Sequence, residues 1–498
     1  MESWSPAFRK LSGKRRLWNN AINNCERGDK RTTRHLIFCP MCRAGRFSGD
    51  GCIPAGASLD PEHPEMPLIR AVLPVVYFGL TLAAAAAVPA AGNLDSADAG
   101  WKATAQRDEI RPRSFTDSSR HLSSAASLAI SGEGNSLEYG GWARNVGGIV
   151  GGHYYRFTAR FHADSVDNER RQVVARLDWL DASGARVGQP DYSVESEQAG
   201  DWKASGTRVQ APEGASSVRV ELLLAWAPKG TVWWDDIALV PSEAPADRWV
   251  TLGTISYHPR HNPDNLAGWI REIDAIALEK PDIVCLGEEL LNEGVSLDYL
   301  GTAEPIPGPT TARLGEAARR NAVYLVAGLI ERDGHGAYNT CVLIDRHGNV
   351  AGKYRKVYLP REEIEGGLTP GSDCPVFDTD FGRIGMMVCW DAEYIEPARA
   401  LGFRGAEVIL VPAAGGYLTL LKARALENHL FVVSSGYDVE SAIIDPTGTV
   451  LFSTKDAPVH KVIRVNLSQK FADAWEGDMR PRYRTEIRPD LYIPAKGP

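Results

Sequence analysis

Hydrophobic and polar positions alternate with a period of two residues in the first large patterned stretch of the chain, residues 93–245. The alternation is clear at 153–161, 173–180, 217–224 and 231–239, and turn-forming sequences separate these segments. Short alternating segments with regular turns are typical of antiparallel β-sandwiches. We therefore predict an all-β sandwich domain at 93–245, which ends in a proline-flanked linker.

The pattern changes at residue 249, where short apolar runs begin to alternate with segments of helical periodicity. Strands are expected at 250–256, 282–286, 323–329, 340–345, 384–389, 408–411, 430–436 and 442–445, and helices at 265–279, 311–320, 396–402 and 417–429. Strands and helices that alternate over about 250 residues predict an α/β domain with a substantial core. This second domain spans 249–498.

The first 65 residues lack such a pattern and form a basic extension. Residues 1–50 hold eleven Lys or Arg against four Asp or Glu. Cys39 and Cys42 form a C-x-x-C pair, flanked by Cys25 and Cys52, which is compatible with a small zinc knuckle. No second C-x-x-C pair is present, so a segment without metal is the alternative.

Residues 66–91 have the three-part pattern of a secretory signal peptide. A methionine and one cation precede an uncharged apolar run at 71–88, and small residues follow it. We expect export to the periplasm or the cell exterior, with translation starting at Met66 and 1–65 as a mis-assigned extension. A membrane anchor near 71–88 is the alternative, because a run of this length is just long enough to span a bilayer.

Composition excludes several classes of protein. With 44% hydrophobic and 24% charged residues, the chain has the composition of an ordinary globular protein. Its net charge of −8 gives no reason to expect nucleic acid as a partner. Eight cysteines in 498 residues are too few for a disulfide scaffold. Because exported thiols tend to oxidise, we expect Cys389 to lie away from Cys285, Cys341 and Cys374 if it is reactive.

A cysteine, a carboxylate and a lysine lie at three predicted strand ends of the α/β domain. Cys389 ends one apolar run, Glu288 follows another, and Lys356 follows a hairpin-like segment. A carboxylate can take the thiol proton, and an ammonium stabilises the oxyanion that forms when a thiolate attacks a carbonyl. A Cys–His pair, as in cysteine peptidases, is the alternative, but no histidine of this domain follows a confidently predicted strand: His258, His261, His335, His347, His429 and His460.

The segments that carry these residues resemble motifs of the nitrilase superfamily of carbon–nitrogen hydrolases. The matching segments are 282–288, 352–359, 369–371, 385–391 and 423–429. The resemblance implies a four-layer α-β-β-α sandwich, no metal or organic cofactor, and a homo-oligomer assembled through this domain. It also implies a Glu-Lys-Cys triad of Glu288, Lys356 and Cys389.

Further site residues follow from the same resemblance. It implies a second active-site carboxylate, which Glu363 fits best, with Glu362 as the alternative. Trp390 and Asp391, next to the nucleophile, are expected to bind substrate. The family usually has proline before its catalytic glutamate, and Gly287 stands there in this chain, which leaves Glu289 as an alternative to Glu288.

The expected substrate is a small amide or an N-carbamoyl compound, hydrolysed through a thioester. The Cys-Trp-Asp sequence resembles amidases more than nitrilases, and nitrile hydrolysis remains an alternative. An acyltransferase is not favoured, because those members carry several membrane helices. An inactive scaffold, whose other domain does the binding, is a second alternative.

The sandwich domain resembles jelly-roll carbohydrate-binding modules, including their Trp-Trp-Asp-Asp ending at 233–236. Seven of the thirteen tryptophans lie in this domain: Trp101, Trp142, Trp179, Trp202, Trp226, Trp233 and Trp234. Aromatic faces stack on sugar rings, so the resemblance implies a glycan partner. The alternative is that these side chains fill the core, since aromatic residues dominate burial in such domains.

Overall fold

The computed structural model describes residues 92–94, 100–193, 195–259, 264–292, 298–473, 475 and 477–488. The predicted basic extension with its C-x-x-C pair and the predicted signal peptide therefore lie outside the described residues. Among the described residues, no helix has an apolar run long enough to cross a bilayer.

Residues 100–242 form two antiparallel sheets, called here the two-sheet domain. The strands are β1 (Lys102–Ala105), β2 (Arg113–Asp117), β3 (Ser127–Ser131), β4 (Tyr139–Gly147), β5 (Tyr154–Asp164), β6 (Val173–Leu180), β7 (Asp191–Tyr192), β8 (Glu195–Ala199), β9 (Trp202–Gln210), β10 (Ser217–Ala225) and β11 (Thr231–Ser242). A short helix, α1 (Glu169–Gln172), precedes β6. The sheet orders are β1-β4-β10-β6-β7 and β2-β3-β11-β5-β9-β8.

Side chains of both sheets meet in one buried cluster, which includes Phe157 from one sheet and Leu222 from the other. Alternation explains this burial, because successive side chains of a strand point to opposite faces. Four of the seven tryptophans are buried in this domain: Trp101, Trp179, Trp202 and Trp234. Trp226 is different, with 43% of its surface exposed. A jelly-roll relationship and glycan binding stay predictions.

The α/β domain follows at residue 249. Its strands are β12 (Trp249–Ser256), β13 (Ile283–Cys285), β14 (Tyr324–Asp333), β15 (Gly336–Ile344), β16 (Val350–Arg355), β17 (Val376–Asp378), β18 (Arg383–Met386), β19 (Val408–Ala413), β20 (Phe431–Gly436), β21 (Ser441–Ile444), β22 (Val450–Thr454), β23 (Val459–Asn466), β24 (Ala472–Asp473) and β25 (Gly477–Asp478). Its helices are α2 (Asn265–Ile276), α3 (Tyr299–Thr302), α4 (Pro309–Asn321), α5 (Arg361–Glu365), α6 (Glu396–Phe403), α7 (Leu418–Asn428) and α8 (Met479–Glu486).

Helix α2 illustrates how local sequence sets these bounds. The Asp264 carboxylate accepts a hydrogen bond from the backbone N–H of Ala267 and so caps the first turn. Leu266, Trp269 and Ile273 recur at helical spacing and are all buried. The predicted helix 265–279 therefore exists, although its last three residues tighten into a 3₁₀ turn.

Two six-stranded sheets and two helical layers build the domain. The sheet orders are β16-β15-β14-β13-β12-β23 and β17-β18-β19-β20-β21-β22. One core cluster contains residues of both sheets, such as Ile283 and Ile384, and therefore lies between them. Helices α2 and α4 cover the first sheet, and α6 and α7 cover the second. The predicted α-β-β-α order is thus observed.

Parallel strands form the centre of each sheet. Strands β12, β13 and β14 are parallel neighbours, and so are β18, β19 and β20. Residues that follow β13 and β18 therefore emerge at the carboxyl ends of parallel strands, where ligands bind in such sheets. This arrangement places the candidate residues.

Candidate active site

Glu288 and Lys356, which are 68 positions apart in the chain, meet in a buried ion pair. Glu288 follows β13 and Lys356 follows β16, and Lys356 Nζ donates to Glu288 Oε1 at 2.9 Å. The two side chains are 2% and 0% exposed. Because a buried charge is expensive unless it is paired, this contact requires both partners.

Glu363 completes the pairing of the lysine. It lies on α5, is buried, and accepts from Lys356 Nζ through Oε1 at 2.5 Å. Its other oxygen, Oε2, is buried without a hydrogen-bond partner among the described residues. Glu362, the alternative from the sequence, is exposed. The structure therefore brings Glu363, and not Glu362, to the lysine.

Burial and ion pairing have opposite effects on the pKa values of Lys356 and Glu363. Burial alone would lower the pKa of Lys356, but the surrounding negative charges, that of Glu288 foremost, raise it above its usual value. Burial raises the pKa of Glu363 to about 7, against the opposing effect of the lysine. The ammonium is therefore held in its charged form.

Asn339, which the sequence did not indicate, holds three carboxylates together. Its Nδ2 donates to Glu288 Oε1 at 2.8 Å, to Glu289 Oε1 at 3.2 Å and to Glu363 Oε1 at 3.2 Å. The residue is fully buried in β15. The only signal in the sequence is a lone amide two positions before the apolar run at 341–344.

Glu289 is the second candidate that the sequence left open after β13. Its backbone is left-handed, with φ of 48°, and Lys356 is hydrogen-bonded to Glu288 instead. Burial, and then the charge of Glu288, raise the pKa of Glu289 to about 9. A carboxyl in this setting keeps its proton at neutral pH, which makes Glu289 a poor base.

The carboxylate of Glu288 is fixed from the opposite sheet. The backbone N–H of Ala414, just after β19, donates to Glu288 Oε2 at 2.6 Å. The Tyr437 hydroxyl donates to the backbone oxygen of Glu288 at 2.9 Å. A Cβ on Gly287 would lie 2.4 Å from that hydroxyl, which explains why glycine replaces the proline that the resemblance leads one to expect.

Cys389 opens a 3₁₀ turn three residues after the end of β18 and is half-buried. Its φ is 43°, an uncommon left-handed value for a residue with a side chain. Such strained positions are retained where the surrounding structure fixes them, often at functional sites. The thiol donates to the backbone oxygen of Gly415 at 3.5 Å. Burial, and then the charge of Glu288, raise the pKa of Cys389 to about 12.

Asp391 does not have the substrate-facing position that the sequence led us to expect. It is fully buried and accepts four hydrogen bonds: from the backbone N–H groups of Val388, Val357 and Tyr358 and from the hydroxyl of Tyr354, at 2.7–3.2 Å. Its carboxylate therefore ties the segment before Cys389 to the segment after Lys356. Its burial and these four contacts correct the expectation that Asp391 contacts the substrate, and they fit a positioning role instead. Trp390 is 38% exposed beside the nucleophile, and its contact with substrate stays a prediction.

The remaining cysteines and histidines do not join this group. Cys285, Cys341, Cys374 and Cys389 are all free thiols. Within the described part of the chain, which omits His261, the thiol of Cys389 has no hydrogen bond to a histidine. A Cys–His pair is therefore not formed by these residues.

The three carboxylates also raise the question of a metal ion. Oxygens of Glu288, Glu289 and Glu363 lie within 4.8 Å of one another. The ammonium of Lys356 already contacts two of these residues, so a divalent cation would meet a fixed positive charge. The donor set therefore fits an ammonium-centred cluster better than a metal centre.

Known proteins that are similar to this chain point to one family. The family model described as "Carbon-nitrogen hydrolase" matches residues 254–476. The omega-amidase NIT2 of Xenopus tropicalis is 32% identical over 258 residues, which cover 46% of this chain and 91% of that protein. Human omega-amidase NIT2 is 30% identical over 218 residues, which cover 38% of this chain and 77% of that protein.

A solved structure was also found. An amidase from Nesterenkonia sp. AN1 is 22% identical, with a TM-score of 0.42, and the match covers 50% of this chain and 98% of that one. The family model and the two relatives lead to the same assignment: the chain belongs to the carbon–nitrogen hydrolases of the nitrilase superfamily and is an enzyme.

Proposed function

We propose that the protein is an amidase that hydrolyses a small amide or N-carbamoyl compound through a thioester on Cys389. The observation that carries this proposal is the buried cluster in which Lys356 contacts both Glu288 and Glu363. The strained Cys389 donates to the backbone oxygen of Gly415, the neighbour of the Ala414 that donates to Glu288. The relatives named omega-amidases support amides as substrates. Other relatives are named nitrilases, so nitriles are the alternative substrates.

In the first step, Glu288 takes the thiol proton of Cys389 while the sulfur attacks the carbonyl carbon. A base is needed because a thiol with a pKa of about 12 remains protonated at neutral pH. A carbon–sulfur bond forms, and the π electrons of the carbonyl move to its oxygen. The charged Lys356 stabilises this oxyanion in a site that is largely closed to water.

In the second step, the carbon–nitrogen bond breaks and Glu288 returns its proton to the departing nitrogen. Ammonia or an amine leaves, and the acyl group remains on Cys389 as a thioester. Glu288 then activates a water molecule, which releases the carboxylic acid and restores the thiol. The partnerless Oε2 of Glu363 is suited to accept a hydrogen bond from the substrate N–H group.

Replacement of the nucleophile tests this assignment. Cys389→Ala is expected to lower ammonia release from a panel of amides and N-carbamoyl compounds by roughly 10⁴-fold or more, as for other nucleophile deletions. Cys374→Ala, a matched change at another partly buried thiol, should retain turnover. Ammonia release that survives in Cys389→Ala contradicts the mechanism, and a panel in which only nitriles react favours a nitrilase instead.

We also propose that the enzyme is exported. The support is the pattern of residues 66–91, with its single cation, apolar run and small residues. Mass spectrometry of the mature protein is expected to find a first residue near Ala91. Peptides from residues 1–65 in the mature protein contradict this proposal.

A further inference from the structure

A cavity of about 280 Å³ lies between the two-sheet domain and the C-terminal residues, and none of its lining residues belongs to the Cys389 site. Its walls include Tyr139, Arg170, Arg171, Tyr192 and Trp226 of the two-sheet domain, and Arg488. Pockets for small molecules range from roughly 300 to 1,000 Å³. A cavity just below that range suits a ligand of about one ring.

Trp226 is held in an exposed and strained position at this cavity. Its φ is 52°, a left-handed value that is strained for a residue with a side chain. Two hydrogen bonds fix that backbone: its N–H donates to Glu138 O at 2.8 Å, and its oxygen accepts from Gln172 Nε2 at 2.7 Å. The surrounding hydrogen bonds hold this strained backbone in place and leave the indole exposed. Strained positions of this kind are often found at ligand-binding sites.

Two arginines supply positive charge without a protein counter-ion. The guanidinium of Arg171 lies 4.6 Å from the centre of the Trp226 ring, and that of Arg170 lies 4.9 Å from the Phe403 ring. Among the described residues, neither arginine forms an ion pair, whereas the one acid in the wall, Glu486, is paired with Arg482 at 2.8 Å. The cavity therefore has an excess of positive charge.

Packing on an aromatic face also orients an arginine. The contact with Trp226 restrains the plane of the Arg171 guanidinium and leaves its N–H edges available, since a cation–π contact uses the face of the group. Two parallel N–H groups match the two oxygens of a carboxylate. The Tyr139 ring, 5.5 Å from Trp226, adds an aromatic wall beside these N–H groups.

We propose that this cavity is a binding site for a small organic carboxylate with a single ring, separate from the catalytic site. The carboxylate pairs with Arg171, with Arg170 adding positive charge, and the ring packs against Trp226 and Tyr139. An acidic sugar and an aromatic acid share this chemistry, and the choice of probes distinguishes them.

Isothermal titration of the full chain tests the site with glucuronate, benzoate and glucose as the neutral control. Glucuronate or benzoate is expected to bind and glucose is not; the tighter of the two acids identifies the ligand class. Arg171→Ala should weaken binding at least tenfold, and Arg171→Lys, which keeps the charge but loses the two-pronged geometry, should also weaken it.

Arg156→Ala serves as the control, because Arg156 is an exposed arginine of the same domain that does not line the cavity. It should bind the acid as the unmodified chain does. A circular dichroism spectrum like that of the unmodified chain shows that Arg171→Ala is folded. The proposal is overturned if neither acid binds at millimolar concentration, if glucose binds as tightly as glucuronate, or if Arg171→Ala binds as tightly as Arg156→Ala.

Discussion

Replacing Glu289 by glutamine is expected to stabilise the protein, and to do so only above acidic pH. The Glu289 carboxyl shares the Nδ2 group of Asn339 with Glu288 and Glu363. Burial and the charge of Glu288 raise its pKa from 4.5 to about 9. At neutral pH the folded protein thus keeps a proton that the unfolded chain releases.

The sign and size of the effect follow from this difference. Because the folded state binds more protons than the unfolded state above pH 4.5, the free energy of unfolding decreases as the pH rises toward about 9. Each pKa unit corresponds to about 1.4 kcal/mol. Raising the pH from 4.5 to 7 therefore lowers the free energy of unfolding by at most about 3 kcal/mol through Glu289. Glutamine is neutral at every pH, so Glu289→Gln removes this loss of stability.

Urea denaturation at pH 4.5 and at pH 7 measures this difference. Glu289→Gln should raise the free energy of unfolding by about 1–3 kcal/mol at pH 7 and leave it nearly unchanged at pH 4.5. Glu362→Gln, the same change at an exposed acid of α5, should show no such dependence on pH. Equal stability of Glu289→Gln and the unmodified chain at pH 7 would refute the argument that Glu289 is held protonated.

Three further variants test the roles of neighbouring groups. Glu288→Gln should abolish amide turnover whereas Glu289→Gln should retain most of it, because in the proposed mechanism only Glu288 acts as the base; equal losses in an ammonia-release assay would contradict that division. Lys356→Met should abolish turnover and lower the free energy of unfolding by about 3–5 kcal/mol in urea denaturation, since it leaves buried carboxylates without their cation. Unchanged stability would count against the ion pair. Asp391→Asn should lower that free energy by about 1–3 kcal/mol and reduce kcat more than it changes KM, whereas a large rise in KM alone would indicate substrate contact.

The strand ends of the active site were predictable because each is a local feature of the sequence. Glu288 and Cys389 each follow an apolar run short enough to be a buried strand, and parallel strands bring their carboxyl ends to one side of a sheet. Lys356 follows a hairpin whose two strands, β15 and β16, pair as expected. Pattern and topology together were sufficient to place these residues at strand ends, and their catalytic roles stay predictions.

The contacts that fix these side chains were not predictable from local pattern. Asn339 and Ala414 contact Glu288 from positions 51 and 126 residues away, and no periodicity marks such pairs. Asp391 differs from the expectation for the same reason: an acid next to a nucleophile suggests substrate binding, whereas three donors from the distant segment 354–358 and one from the nearby Val388 enclose it. Such partners emerge only when the two sheets pack.

The high pKa of Cys389 is compatible with a reactive thiol once the whole cluster is considered. When Glu288 accepts the thiol proton during attack, one negative charge leaves the carboxylate as another forms on the substrate oxygen. The total charge around Lys356 is therefore the same before and after the step, and its ammonium, already 2.9 Å from Glu288 Oε1, needs to shift little to follow the charge. Preorganised charge of this kind lowers a barrier because little reorganisation accompanies the reaction.

A resting thiolate beside Glu288 would lose that advantage, since two negative charges would then repel each other before any substrate arrived. A half-buried, protonated cysteine with an ion-paired base is thus an arrangement that suits the proposed chemistry.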